Sequence, residues 1–169
     1  MTNERTVEDI ERADLLETLA THRSLLRRTV RDLTDSQARE RSTVSELCLG
    51  GVIKHVTRME QRWADFVVRG PAEGGVDLEA HAASFRMLED ETLAGLLEKY
   101  DATARRTDEL VASLGSLDDS QPLPAAAWFP PGARWSARRV VLHVIAETAQ
   151  HAGHADIIRE SLDGAKTMG

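Results

Sequence analysis

Between Val140 and Leu162 the residues Val140, Val144, Glu147, His151, His154, Ile158 and Leu162 recur at steps of four, three, four, three, four and four. Such steps return to one face of an α-helix, so these residues form a single stripe. The stripe is aliphatic at both ends, and an aliphatic stripe turns towards a core. Its middle carries a carboxylate and two imidazoles, which are costly to bury unless they are paired, hydrogen-bonded or bound to metal. A chain containing this helix must therefore provide other helices to cover the stripe and partners for its polar centre. Helical bundles build internal sites in this way, from side chains that point inward.

Three further long helical patterns meet that requirement. The first spans about Val7 to Leu33, with Thr6 and Asp9 as a capping box and Leu15, Leu19, His22, Leu26, Val30 and Leu33 as its stripe. A polar stretch from Thr34 to Ser42 has room for a short helical turn. The second spans about Ser45 to Arg69, with Thr43 and Glu46 in capping-box spacing and Gly70-Pro71 as its stop. Val52, His55 or Val56, Met59, Trp63 and Phe66 face inward. A long loop from Pro71 to Leu88 follows, with the pair Gly74-Gly75, and its length lets the second and third helices run parallel. The third helix spans about Glu91 to Leu114, with Leu93, Leu97, Tyr100, Ala104, Thr107, Val111 and Leu114 inward and Gly115 at its end. A second loop, Ser116 to Trp135, precedes the fourth helix, which Ser136 caps and Asp163-Gly164 stops. No alternating pattern is long enough for a confident strand. The expected architecture is one all-α domain over residues 1–169, a four-helix bundle with long connecting loops.

The formal net charge of -7, from 28 acidic and 21 basic side chains, argues against nucleic acid and anionic membranes as partners. No apolar run is long enough for a transmembrane helix. The polar, acidic N-terminus is unlike a signal peptide, which reads as a cytoplasmic protein. The single cysteine, Cys48, excludes an internal disulfide and has no basic neighbour to activate it, so it reads as a packing residue.

The fourth helix alone has too few ligands for a closed metal site. His55, bordering the apolar face of the second helix, is the best partner. Two histidines and a glutamate with positions left open make a catalytic type of centre rather than a structural one. Such ligands suit zinc first, and nickel, iron or manganese less selectively. The competing reading is a set of hydrogen-bonded core residues without metal. His154 is an alternative ligand, or a residue that orients a ligand or relays a proton. His143 reads as second to the ligands or solvated, His22 as a core histidine, and His81 as a solvated loop residue. Arg138 and Arg139 read as surface residues; Arg159-Glu160 reads as an exposed pair or an anion contact. Gly50-Gly51 costs on the order of 1 kcal/mol per glycine inside a helix, which implies either close packing or room for a ligand beside His55. Trp128, Phe129 and Trp135 in the second loop either cover one end of the bundle or contact a substrate.

The run from Trp135 through His143, Glu147, His151 and His154 to Glu160, followed by Asp163-Gly164, resembles the C-terminal signature of the DinB/YfiT-like superfamily. It is most similar to the actinobacterial branch linked to mycothiol-dependent chemistry, which includes the N-terminal domain of maleylpyruvate isomerase. Leu49-Gly-Gly-Val-Ile-Lys-His55, with Glu60 and Trp63, resembles the second-helix motif of that branch, and Leu33-Thr-Asp-Ser-Gln-Ala-Arg39 also fits. The resemblance implies a four-helix bundle with a divalent metal on His55, Glu147 and His151. The isomerase carries a further C-terminal domain, and this sequence ends soon after the fourth helix.

The leading functional expectation is a divalent-metal-dependent thiol transferase. It would use mycothiol or a related low-molecular-weight thiol against a small electrophile, with His154 beside the ligands. The alternative is a non-catalytic, stress-associated metal-binding bundle. A homodimer through an outer helix face is compatible with either.

Overall fold

The computed structural model describes residues 6–72 and 77–167. The elements are α1 (Val7–Arg28), α2 (Asp35–Arg39), α3 (Leu49–Arg69), α4 (Leu78–Ala83), α5 (Leu93–Ser113), β1 (Ser120–Pro122), β2 (Arg134–Ser136) and α6 (Ala137–Asp163). The four long helices form a ring in which α1 packs on α6, α6 on α3, α3 on α5 and α5 on α1. Side-chain pairs fix their directions. Arg138 meets Glu11 near the starts of α6 and α1, and Arg159 reaches the Thr29 and Arg31 carbonyls near their ends, so these two helices are parallel. Lys54–Glu91 and Asp65–Arg106 likewise make α3 parallel to α5. His55 beside His151 and Trp63 beside His143 make α3 antiparallel to α6. The long crossover between α3 and α5 permits this order, as its length implied. Gly74-Gly75 lies outside the described residues.

Local sequence explains most helix ends. Thr6 and Asp9 form the capping box of α1, and Thr34 with Gln37 forms another on α2. Ser136 accepts from the Arg139 amide at the start of α6, and Gly164, at φ +79°, closes it. The start of α3 differs from the expected Ser45. Thr43 Oγ1 accepts from the Ser45 amide and Ser45 Oγ from the Leu47 amide, so both hydroxyls serve local turns. The helix begins instead at Leu49 after a buried Cys48. On α5 the buried row contains Leu96 and Thr103 in place of Leu97 and Ala104. The second loop contains a short antiparallel ribbon, β1 with β2, that pairs Gln121 with Trp135.

The core is apolar at both ends and polar at its waist. One end gathers Leu26, Ile53, Tyr100, Ala155 and Ile158. Towards the other end lie Leu19, Trp63, Phe66, Val140 and Val144. Between them, Arg23 of α1 reaches across the bundle to Glu60 of α3, with Arg23 Nε 3.2 Å from Oε2. Asp108 of α5 accepts from the same guanidinium at 2.8 Å. Glu60 is wholly buried, so removing one partner of this pair alone would leave a buried charge. Thr148 and Thr107, also buried, donate to carbonyls one turn earlier and need no external partner.

Candidate metal centre and its cavity

The waist opens on one side into the candidate site. One ligand atom each from His55, Glu147 and His151 lies within 4.8 Å of the others. Helix α6 places Glu147 and His151 one turn apart, with Glu147 Oε2 3.6 Å from His151 Nε2. The antiparallel α3 brings His55 to the same level, its ring centroid 4.8 Å from that of His151. Both imidazoles are buried, at 5% and 7% exposure, whereas Glu147 is half-buried and faces the opening.

The hydrogen bonds orient His55. Ser84 Oγ donates to the His81 carbonyl at 2.6 Å, which uses its only proton. It must therefore accept from His55 Nδ1, 2.9 Å away. This fixes the tautomer in which Nε2 carries a free lone pair, the form a metal requires. Phe85 stacks on the same ring at 3.7 Å between centroids. Burial, reinforced by His151 and His81, pushes His55 down to about 4, so it is neutral near pH 7. The facing His151 imidazole holds Glu147 below the usual carboxylate range, against the opposing effect of burial. Two imidazoles and a carboxylate, with one flank open, form a donor set that fits a divalent ion.

A cavity of about 650 Å³ adjoins these groups, lined by His55, Glu147, His143, Trp63, Trp135 and Trp128 among others. Trp135 stacks on Trp63 at 4.8 Å, and His143 sets its ring edge against both. The aromatic loop thus folds back over the cavity, and the β-ribbon anchors it: Gln121 Nε2 donates to the Val67 carbonyl.

Several sequence readings change. Of the two readings of His143, the one beside the ligands holds: it is a half-buried wall of the cavity, its Nε2 3.7 Å from Glu147 Oε1. His81 is exposed as expected, but it sits on α4 rather than in a plain loop and packs edge-on to His55. His22 is only half-buried and lines no part of the cavity; its neighbour Arg23 takes the interior position. Arg138 bridges Glu11 and Asp118, and Arg159 binds Asp163 and the end of α1, so both join elements together. His154 stands behind the centre, its Nδ1 3.5 Å from His151 Nδ1.

Gly50 and Gly51 are explained by packing. A Cβ on Gly51 would lie 1.9 Å from the Phe85 carbonyl oxygen, and one on Gly50 would lie 2.3 Å from Met87 Sδ. The glycines let the chain after α4 lie directly on α3, which places Ser84 and Phe85 against His55. Ser84 and Phe85 had no sequence signal of their own. The glycine pair, four and five residues before His55, was the indirect one.

Residues 14–164 match the family model described as mycothiol S-transferase. The chain belongs to the mycothiol S-transferase family. This agrees with the signature running from Trp135 to Glu160. No curated protein matches the chain. The fold of this family member is similar to that of a conserved protein from Enterococcus faecalis, seen in a crystal structure. The TM-score is 0.69 at 14% identity, over 96% of this chain and 100% of that one. Among the described residues, no helix is long and apolar enough to cross a membrane.

Proposed function

We propose that this protein is a divalent-metal-dependent thiol S-transferase acting with mycothiol, or a related low-molecular-weight thiol, on a small electrophile. The observation that carries the reading is the convergence of His55, Glu147 and His151 beside a cavity, in a chain of the mycothiol S-transferase family. In this reading the three side chains are the protein ligands of zinc, the metal that the donor set suits first. Bound there, the ion would supply Lewis acidity that lowers the pKa of a coordinating thiol and makes thiolate available near neutral pH.

The chain's own residues do the remaining work. Ser84 holds His55 with Nε2 forward. His154 orients His151 through the facing Nδ1 atoms. Trp63 and Trp135 provide an apolar wall that holds the electrophile and excludes water. With an epoxide, a sulfur–carbon bond forms as a carbon–oxygen bond breaks, and the proton lost by the thiol ends on the new alkoxide. With an alkyl halide, halide leaves and the proton passes to solvent. A cytoplasmic location, where small thiols stay reduced, suits this chemistry.

The test is thiol consumption by protein purified without a metal-affinity tag, in zinc-loaded and metal-stripped forms, against a panel of epoxides, halides and activated alkenes. Turnover should require both zinc and thiol, should favour mycothiol over glutathione, and should be lost in His151→Ala together with the bound metal. A zinc-loaded protein that consumes no thiol above the metal-stripped control would support the non-catalytic binding bundle instead. Equal rates with and without metal would overturn the metal mechanism and leave a metal-independent enzyme.

A further inference from the structure

The cavity wall on α3 carries Arg58 and Arg62, three and seven residues beyond His55 on the same helical face. At about 1.5 Å per residue, Arg62 stands roughly 10 Å from His55 along the axis, and its side chain is long enough to reach back. Both guanidinium groups are exposed, and among the described residues neither forms an ion pair. The carboxylates that share the cavity are engaged elsewhere. Asp65, one turn from Arg62, is bound by Arg106 at 2.5 Å. Asp77 caps α4 through the Ala80 amide at 2.9 Å. Glu147 lies between His143 and His151.

Arg62 stands where the cavity's aromatic wall begins, next in sequence to Trp63. The Arg62 guanidinium carbon lies 6.0 Å from the Trp63 ring centroid. Beyond the stacked Trp135, the Arg139 guanidinium carbon lies 4.7 Å from that ring's centroid, also without an ion pair. A ligand in the cavity would meet the triad, the aromatic surface and the unpartnered guanidinium groups of Arg58 and Arg62. Asp65 and Glu147 have cationic or imidazole partners, whereas Arg58 and Arg62 have no ion-pair partner among the described residues. Guanidinium groups recognise carboxylates through paired, charge-assisted hydrogen bonds.

We propose that Arg62, assisted by Arg58, is a specificity subsite for the electrophile, and that the substrates of this cavity carry a carboxylate joined to the electrophilic carbon through a short apolar body. The proposal rests on the thiol-transferase reading of the same site and names its substrate class.

Two measurements separate them. The first needs no turnover: zinc-loaded protein is titrated with 4-methylbenzoate and with 4-methylbenzamide while tryptophan fluorescence is followed. The carboxylate should bind about 10-fold tighter or more, and Arg62→Gln should abolish that preference while zinc content stays unchanged. The second is turnover of 4-(chloromethyl)benzoate and 4-(chloromethyl)benzamide with mycothiol. In this reaction a sulfur–carbon bond replaces carbon–chlorine, chloride leaves and the thiol proton passes to solvent. Arg62→Gln should raise KM for the benzoate about 10-fold with little change in kcat, and Arg62→Lys should restore part of the loss. Constants for the benzamide should not move. A carboxylate preference without turnover would uphold the subsite and overturn thiol transfer. Turnover without any carboxylate preference, or a preference that survives in both Arg62→Gln and Arg58→Gln, would overturn the subsite.

Discussion

His55 Nδ1 lies 2.9 Å from Ser84 Oγ, and the second bond of that hydroxyl, to the His81 carbonyl, obliges it to accept rather than donate. A residue on the crossover between α3 and α5 therefore sets the protonation pattern of a candidate ligand on α3. Ser84→Ala should keep the fold, at a cost of about 1 kcal/mol for the lost bonds, and should weaken zinc affinity about 10- to 100-fold. Competition with a chromophoric chelator would measure this. Unchanged affinity would mean that Ser84 does not orient the ring.

The metal-free protein should lose stability in mild acid. Burial holds His55 down to about 4 in the folded chain, whereas an unfolded histidine titrates near 6.5. Between these values the unfolded state binds the extra proton, so stability is complete above about pH 6.5 and falls as pH drops towards 4. The expected loss from His55 is on the order of 3 kcal/mol. His143, also pushed down mainly by burial, adds in the same direction. Urea midpoints of chelator-treated protein at pH 4.5, 5.5 and 7 should show the slope. His55→Leu should flatten it; an equal slope in that variant would assign the acid sensitivity elsewhere.

The two glycines of α3 should not be equivalent. At Gly51 the obstacle to a Cβ is the Phe85 backbone, which cannot move without displacing Ser84; at Gly50 it is the flexible side chain of Met87. Gly51→Ala should destabilise by about 1–3 kcal/mol despite the better helix propensity of alanine, and should weaken zinc binding. Gly50→Ala should cost less and leave zinc affinity near that of the parent. Thermal melts and chelator competition on both variants would check the order.

Trp128 and Trp135 should separate binding from stability. Trp128 is 60% exposed at the cavity, whereas Trp135 is half-buried and stacked on Trp63. Trp128→Ala should raise KM for an aromatic electrophile several-fold, with metal content intact and a shift in Tm of no more than a few degrees. Trp135→Ala should cost about 2–4 kcal/mol, because it removes an aromatic contact shared by β2, α3 and α6. A large fall in Tm for Trp128→Ala with unchanged KM would make that residue a structural cover instead.

Most of the helices and the polar stripe were legible in the order of residues alone. The threonine and serine caps, the terminal glycines and the three-four periodicity act within a few residues, so α1, α5 and α6 could be read directly, whereas α2 showed only as a polar stretch with room for a turn. The same locality placed Glu147 and His151 one above the other, because helical geometry alone sets that distance. The length of chain between α3 and α5 allowed their parallel course, and the packing selected it.

The surroundings of those residues came from long-range packing. Whether His22 or Arg23 entered the core depended on the position of Glu60 and Asp108 on two other helices. His143 became a cavity wall because the loop after α5 folds back onto Trp63. Ser84 and Phe85 reached His55 because Gly50 and Gly51 present bare backbone to a segment more than 30 residues further along. Periodicity records which way a side chain faces on its own helix. The partner it meets is set by long-range packing, for which a single sequence holds only indirect traces such as an otherwise costly pair of glycines.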